Sequence, residues 1–364
     1  MNGGGTGIAF NNSGTFEKTG TSTTAATSAV NNPIAFNNTG TVAANAGTLS
    51  FGGGGACGST CAGSWTVNSG ATLQYSSLTF ALSGAISGQG TVNFSGATVT
   101  LTGTYPLTGT TNVSAGIVDF DQPNPATITG ALNQSAGTLD GTGALTISGL
   151  LTWSGGTESG TGTTTANGTT MVNGVATSVV FPAGSDVNLT GRTFINNGLA
   201  VWQTGTAGQF VFGSGAQWNN AASSTWNFQN DTSLVNGGGT GQAFNNSGIF
   251  EKTGSNSTST ASTVNAPIAF NNAGTATVTA GILGFGGSFT QTAGNTFLNG
   301  GNIQTTVPMN IQGGTVTGSG TVTGATSAGG ISNANGTLSP GVSAIVGSIT
   351  LGTGGGGNYS QGAT

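Results

Sequence analysis

Residues 91–120 read TVNFSGATVTLTGTYPLTGTTNVSAGIVDF. Four short segments stand out in this stretch: Thr91–Phe94, Thr98–Leu101, Thr111–Val113 and Gly116–Phe120. Each is rich in Thr, Val, Ile or Phe and is bounded by small residues. Such residues favour strands, and their alternation sends one set of side chains to each face. The segments are too short and too many for most β-sandwiches. A small-small-small-x-apolar motif begins at Ser69, Ser95, Ser114 and Ser135, with a weaker copy at Ser154, so its steps are 26, 19, 21 and 19. Three short strands per turn of about 20 residues is the rhythm of a parallel β-helix, whose turns stack ~4.8 Å apart. The predicted fold is therefore all-β: a right-handed parallel β-helix (solenoid) of about 20 residues per turn. Leu73, Val99, Val118 and Leu139, which close the motif, are expected to stack inward along one side. A pair of β-sandwich domains is the competing fold, and it predicts hairpin turns at a spacing of about 8–12 residues.

Working outward, the chain repeats itself. Residues 2–53 align without a gap to 236–287, an offset of 234, with 35 identities in 52 positions. The shared core reads N-G-G-G-T-G-x-A-F-N-N-S-G-x-F-E-K-T-G, followed by P-I-A-F-N-N-x-G-T. Phe10 and Phe36 each open an F-N-N-S/T-G motif, and Phe244 and Phe270 repeat their spacing. The expected organisation is a first repeat unit at 1–235 and a second, partial and divergent unit at 236–364 that continues the same solenoid.

Composition excludes several functions. Of 364 residues, 70 are Gly, three are Lys or Arg, eight are Asp or Glu and none is His, for a net charge of −5. Nucleic acid is disfavoured because phosphate neutralisation needs several basic side chains. Most acid–base catalysis is disfavoured too, because His, Lys and paired carboxylates supply it; the chain is not expected to be an enzyme or to hold a cofactor. Disorder is opposed by 35% apolar residues and by 18 Phe spread along the whole length. No apolar run approaches the ~20 residues of a membrane span.

The run G-G-G-T-G-x-A-F-N-N-S-G-x-F-E-K-T-G, with A-F-N-N-T/A-G-T after it, resembles the β-strand repeat arrays of large bacterial secreted surface proteins, adhesin-like and autotransporter-passenger-like. Ile86–Phe94, Leu150–Gly156, Gly191–Gly198 and Gly336–Gly341 are similar to the same arrays. That class is defined by architecture and has no common activity. The resemblance implies an extracellular or cell-surface location and a structural or adhesive role.

Candidate chemistry is sparse. Cys57 and Cys61 frame Gly58-Ser59-Thr60. Zinc usually needs four ligands, and redox motifs are typically C-x-x-C, so a local disulfide is the expected state. Glu17-Lys18 recurs as Glu251-Lys252 and reads as a surface ion pair at a turn edge rather than a catalytic pair, since neighbours on a strand face opposite ways. Asp119 and Asp121 share a face of an extended strand and form a weak calcium candidate; Pro123 and Pro125 follow at once, and no basic partner for glycoside chemistry lies nearby. Thr-x-Thr pairs at 98/100, 127/129, 277/279, 315/317 and 321/323 suggest an ice-binding array, but their steps vary. Trp202, Phe210, Phe212, Trp218, Trp226 and Phe228 could stack on sugars if exposed; alternation favours the core.

The functional expectation is a structural stalk or fibre segment acting in adhesion or extracellular matrix. The alternatives are a carbohydrate-binding module and, further off, a polysaccharide-degrading enzyme or an ice-binding protein. Neither end of the sequence shows a charged or covering cap for unpaired strand edges, which predicts self-association along the solenoid axis. A glycan or cell-surface ligand is the second kind of partner.

Overall fold

In the computed structural model the period-two alternation is realised strand by strand. The structure describes the chain except residues 1–6, 21–25, 56–61, 123–124, 169, 173–174, 183, 185, 204–207, 255–260, 325–329, 343–344, 352–357 and 362–364. Among the described residues there is no helix, and so none long and apolar enough to cross a membrane. Two compact units divide the chain, Met1–Thr170 and Met171–Thr364.

In the first unit the strands form parallel columns. One runs from Thr27–Val30 through Thr48–Phe51 and Thr72–Tyr75 into the first half of Thr91–Leu101, the first half of Thr110–Phe120, Leu132–Gln134 and Leu151–Trp153. A second runs from Thr79–Leu82 through the second halves of the two long strands to Thr138–Asp140 and Gly156–Glu158. A third joins Thr15–Lys18, Thr41–Ala44, Ser64–Val67 and Ile86–Gly88. The register sets the turn. Thr91 pairs with Thr110, a step of 19, and Thr48 pairs with Thr72, a step of 24. Insertions sit at corners, so the strands stay in register although the turns differ in length.

All four motif-closing residues are fully buried, but they do not form one column. Val99, Val118 and Leu139 are register partners on consecutive turns. Leu73 pairs instead with Val92, one strand earlier in the turn. The step from Leu73 to Val99 is therefore one full turn, to Val92, plus the advance from Val92 to the next strand position. The motif marks a corner, and more than one corner uses it.

The second unit is built the same way. Thr193–Asn196, Gln217–Asn220, Ala243–Asn246, Ala269–Asn272 and Phe289–Gln291 pair in parallel sequence. The pairing of Gln217 with Ala243 carries the column straight across position 235/236, where the sequence repeat restarts. One antiparallel pair, Thr337–Val342 with Ile345–Val346, interrupts the pattern.

Inward residues fill a narrow aromatic and aliphatic interior. Strand Thr91–Leu101 buries Val92, Phe94, Ala97, Val99 and Leu101 and leaves Asn93 half-buried on the other face. Each such large side chain contributes about 1.5–3 kcal/mol by burial. In the second unit Phe194, Trp218, Phe244, Phe270 and Phe289 form a continuous stack, with centroids 4.3, 6.3, 5.6 and 5.3 Å apart and planes within 30° of parallel. At one corner of the first unit Gly90, Gly109, Gly130 and Gly149 lie one above another, and a Cβ on any of the last three would overlap the carbonyl oxygen of the glycine before it. Glycine is required there by close approach of backbones.

Candidate functional site

The predicted site residues separate in space. Cys57 and Cys61 lie outside the described residues. Asp121 is exposed, and its Oδ1 accepts hydrogen bonds from the Thr142 amide at 3.1 Å and the Thr142 hydroxyl at 2.7 Å. These bonds hold its carboxyl below the ordinary range. Asp119 is half-buried on its strand, in register with Thr100 on one side and Asp140 on the other. Among the described residues no three His, Cys, Asp or Glu side chains converge on a metal-sized point. Asp121 acts as a tie to the corner of the next turn.

The Thr-x-Thr pair at 98/100 does not continue on the next turn, where its register partners are Ile117 and Asp119, but threonines outside the expected pairs are ordered. Thr27, Thr48, Thr72, Thr91 and Thr110 are register partners in one column although their steps are 21, 24, 19 and 19. Beside them runs a column of amides, Gln74, Asn93, Asn112 and Asn133, rather than a second threonine column. Asn112 Nδ2 donates to Asn93 Oδ1 at 2.7 Å, and Asn133 Nδ2 to Asn112 Oδ1 at 2.9 Å. The outward asparagines on this face are thus bonded to one another, while the Gln74 amide donates to Ser95 Oγ at 2.9 Å. All six residues of the dense aromatic set are buried, as alternation predicts.

The polar groups most strongly committed by the fold are inside. In F-N-N-S/T-G the Phe points inward, the first Asn outward and the second Asn inward. Asn196 Nδ2 donates to Asn220 Oδ1 at 2.8 Å, Asn220 to Asn246 at 2.9 Å and Asn246 to Asn272 at 2.8 Å. Each also donates to a strand-leading carbonyl of the next turn: Thr225, Ile249 and Thr275. In the first unit Asn12 makes the same two bonds, to Asn38 Oδ1 at 2.8 Å and the Thr41 carbonyl at 3.0 Å. A buried amide is tolerated only when its hydrogen bonds are made, and a ladder does this once per turn.

F-E-K obeys the same rule, and here the expectation of a surface ion pair fails. Phe250 and Lys252 point inward and are fully buried, while Glu251 between them faces outward and is half-buried. Lys252 Nζ donates to Asp231 Oδ1, the Asn230 carbonyl and the Gly254 carbonyl, each at 2.8 Å, and to Ser262 Oγ at 3.1 Å. Ser262 in turn donates to the Asn230 carbonyl at 2.9 Å. Burial pushes the ammonium pKa down, opposed by the adjacent Asp231 carboxylate. Burial alone pushes the Glu251 carboxyl up. The Lys252 protons are directed at carbonyl, carboxylate and hydroxyl oxygens, which describes a structural cation joining segments. The signal was present in the sequence: the alternation that places Phe250 inside places Lys252 inside as well.

One shallow cleft of about 270 Å³ lies in the first unit, lined by Thr104, Tyr105, Pro106, Gln122, Pro125, Thr127 and Thr129. Tyr105 is buried and its hydroxyl bonds to Thr111 Oγ1 at 2.9 Å, so its ring offers no open face to a ligand. Gln122 Nε2 is buried at this site without a hydrogen-bond partner. Comparison with known protein families, curated proteins and solved structures finds no match to this chain.

Proposed function

We propose that this chain is a structural stalk or fibre segment of a secreted surface protein, acting in adhesion or extracellular matrix, with no catalytic role. The observation that carries the reading is the duplication of one packing solution. Phe10 stacks on Phe36 with centroids 5.4 Å apart and Asn12 donates to Asn38; at the equivalent positions of the second copy Phe244 stacks on Phe270 at 5.6 Å and Asn246 donates to Asn272. A unit whose aromatic and amide rungs are self-similar lengthens an array without new surface chemistry. The resemblance to secreted repeat arrays supports an extracellular setting. The location is tested by protease shaving of intact producing cells: loss of the protein without lysis agrees with it, and full protection contradicts it.

The second reading, a carbohydrate-binding module, places a sugar in the cleft at Tyr105 and Gln122, where a shift of the Gln122 side chain would bring its unpartnered amide to a sugar hydroxyl. A glycan array combined with a reducing-sugar assay separates the accounts. The stalk reading expects neither saturable glycan binding abolished by Gln122→Ala nor release of reducing ends. Saturable binding lost in that variant would establish the module, and reducing ends would establish an enzyme.

A further inference from the structure

The two copies of the repeat carry the same residues in different surroundings. In the second copy, Ala243–Asn246 lies between Gln217–Asn220 and Ala269–Asn272, and Ile249–Lys252 lies between Thr225–Phe228 and Thr275–Val278. In the first copy, Ala9–Asn12 pairs with Ala35–Asn38 and Thr15–Lys18 with Thr41–Ala44, and among the described strands neither has a neighbour on its other edge. Burial follows the difference. Phe244, Phe250 and Lys252 are fully buried, whereas Phe10, Phe16 and Lys18 are half-buried.

What covers the second copy is specific. Trp218 stacks on Phe244, Asn220 donates to Asn246 Oδ1, and Asp231 with the Asn230 carbonyl receives the Lys252 ammonium. The first copy keeps the rest of that lysine cluster in sequence, since Gly20 and Ser28 are the repeat equivalents of Gly254 and Ser262. Among the described residues Lys18 has no carboxylate or carbonyl in the place of Asp231 and Asn230, and Asn12 Oδ1 has no donor in the place of Asn220.

We propose that the edge made by Ala9–Asn12 and Thr15–Lys18 is a docking edge for one further turn of the Gln217–Asp231 type, supplied in tandem by another copy of the repeat unit. The turn would add a parallel strand to each open edge. Its Trp would seat on Phe10, its inward Asn would donate to Asn12 and its Asp would bind Lys18. The ring, the amide rung and the opposite charge fix the register together, so the edge selects this turn rather than any strand. The proposal takes the source of the turn from the array reading but rests its chemistry on the second copy alone. A glycan ligand for the protein would overturn the stalk and leave this edge assignment standing.

The test is a chain extended at its N-terminus by a copy of its own residues 201–235, joined to Asn2, compared with the unextended chain and with a chain carrying a scrambled extension. Lysine acetylation is followed by peptide mapping, with buried Lys252 as the internal reference for an intact solenoid. In the unextended chain Lys18 is expected to react at least about tenfold faster than Lys252. In the extended chain Lys18 should slow to the Lys252 rate, and the added residues should survive limited proteolysis. Asp231→Asn in the added copy should restore most of the Lys18 reactivity. Unchanged Lys18 reactivity, or digestion of the added turn while Lys252 stays protected, would overturn the proposal; so would equal protection by the scrambled extension.

Discussion

Lys252 and Asp231 lie 2.8 Å apart, with the lysine side chain fully buried. Removing one member of such a pair strands the other charge in a poorly solvated place. Lys252→Met is therefore expected to cost about 3–5 kcal/mol in urea unfolding. The double variant with Asp231→Asn should recover part of that loss. Lys18→Met, at the equivalent but half-buried position, should change stability by no more than about 0.5 kcal/mol. Equal losses at the two positions would contradict the assigned roles. Glu251 gives a pH signature. Burial raises its carboxyl pKa above the ordinary value of 4.5. Between the ordinary and the raised value the folded chain holds a proton that the unfolded chain has released, so this group lowers stability as pH rises through that window. Glu251→Gln should remove that slope and leave the protein more stable at neutral pH, as read by thermal unfolding from pH 4 upward. A variant with an unchanged slope would show that Glu251 is solvated.

At the scale of the strand and its corners, the amide ladder and the glycine stack hold the register. Replacing Asn246 by Leu removes the acceptor for Asn220 and the donor to Asn272 Oδ1 and to the Thr275 carbonyl, so three polar groups lose a partner. The expected cost is about 1–3 kcal/mol for each group left unsatisfied. Asn12→Leu, with a single neighbouring rung, should cost less, and the same denaturation experiment compares them. Gly109→Ala places a Cβ against the Gly90 carbonyl and should cost about 1–3 kcal/mol, whereas Gly14→Ala enters open space and should be nearly neutral. This is also the scale at which the sequence was most legible. Alternation placed Trp202, Phe210, Phe212, Trp218, Trp226 and Phe228 in the core, and the recurring motif gave the turn. Leu73 escaped because corner chemistry is shared by different corners of a turn. The threonine column escaped because insertions change the sequence step without changing the register. Lys252 escaped because composition makes any charged residue look like surface, although its own strand's alternation pointed inward.

For the molecule as a whole, the candidate site was less legible than the fold. Sequence reasoning searches for exposed chemistry, and the polar chemistry to which this fold commits most strongly is internal: the inward amide rungs and a buried cation. The account makes the repeat unit an element of extension. Tandem chains of one, two and three such units, imaged by rotary-shadowing electron microscopy, test that claim most directly. Turns stacked at ~4.8 Å predict a contour length that grows linearly by roughly 50 Å per added unit at constant width. Separate globules joined by flexible links, or a width that grows in place of length, would contradict it.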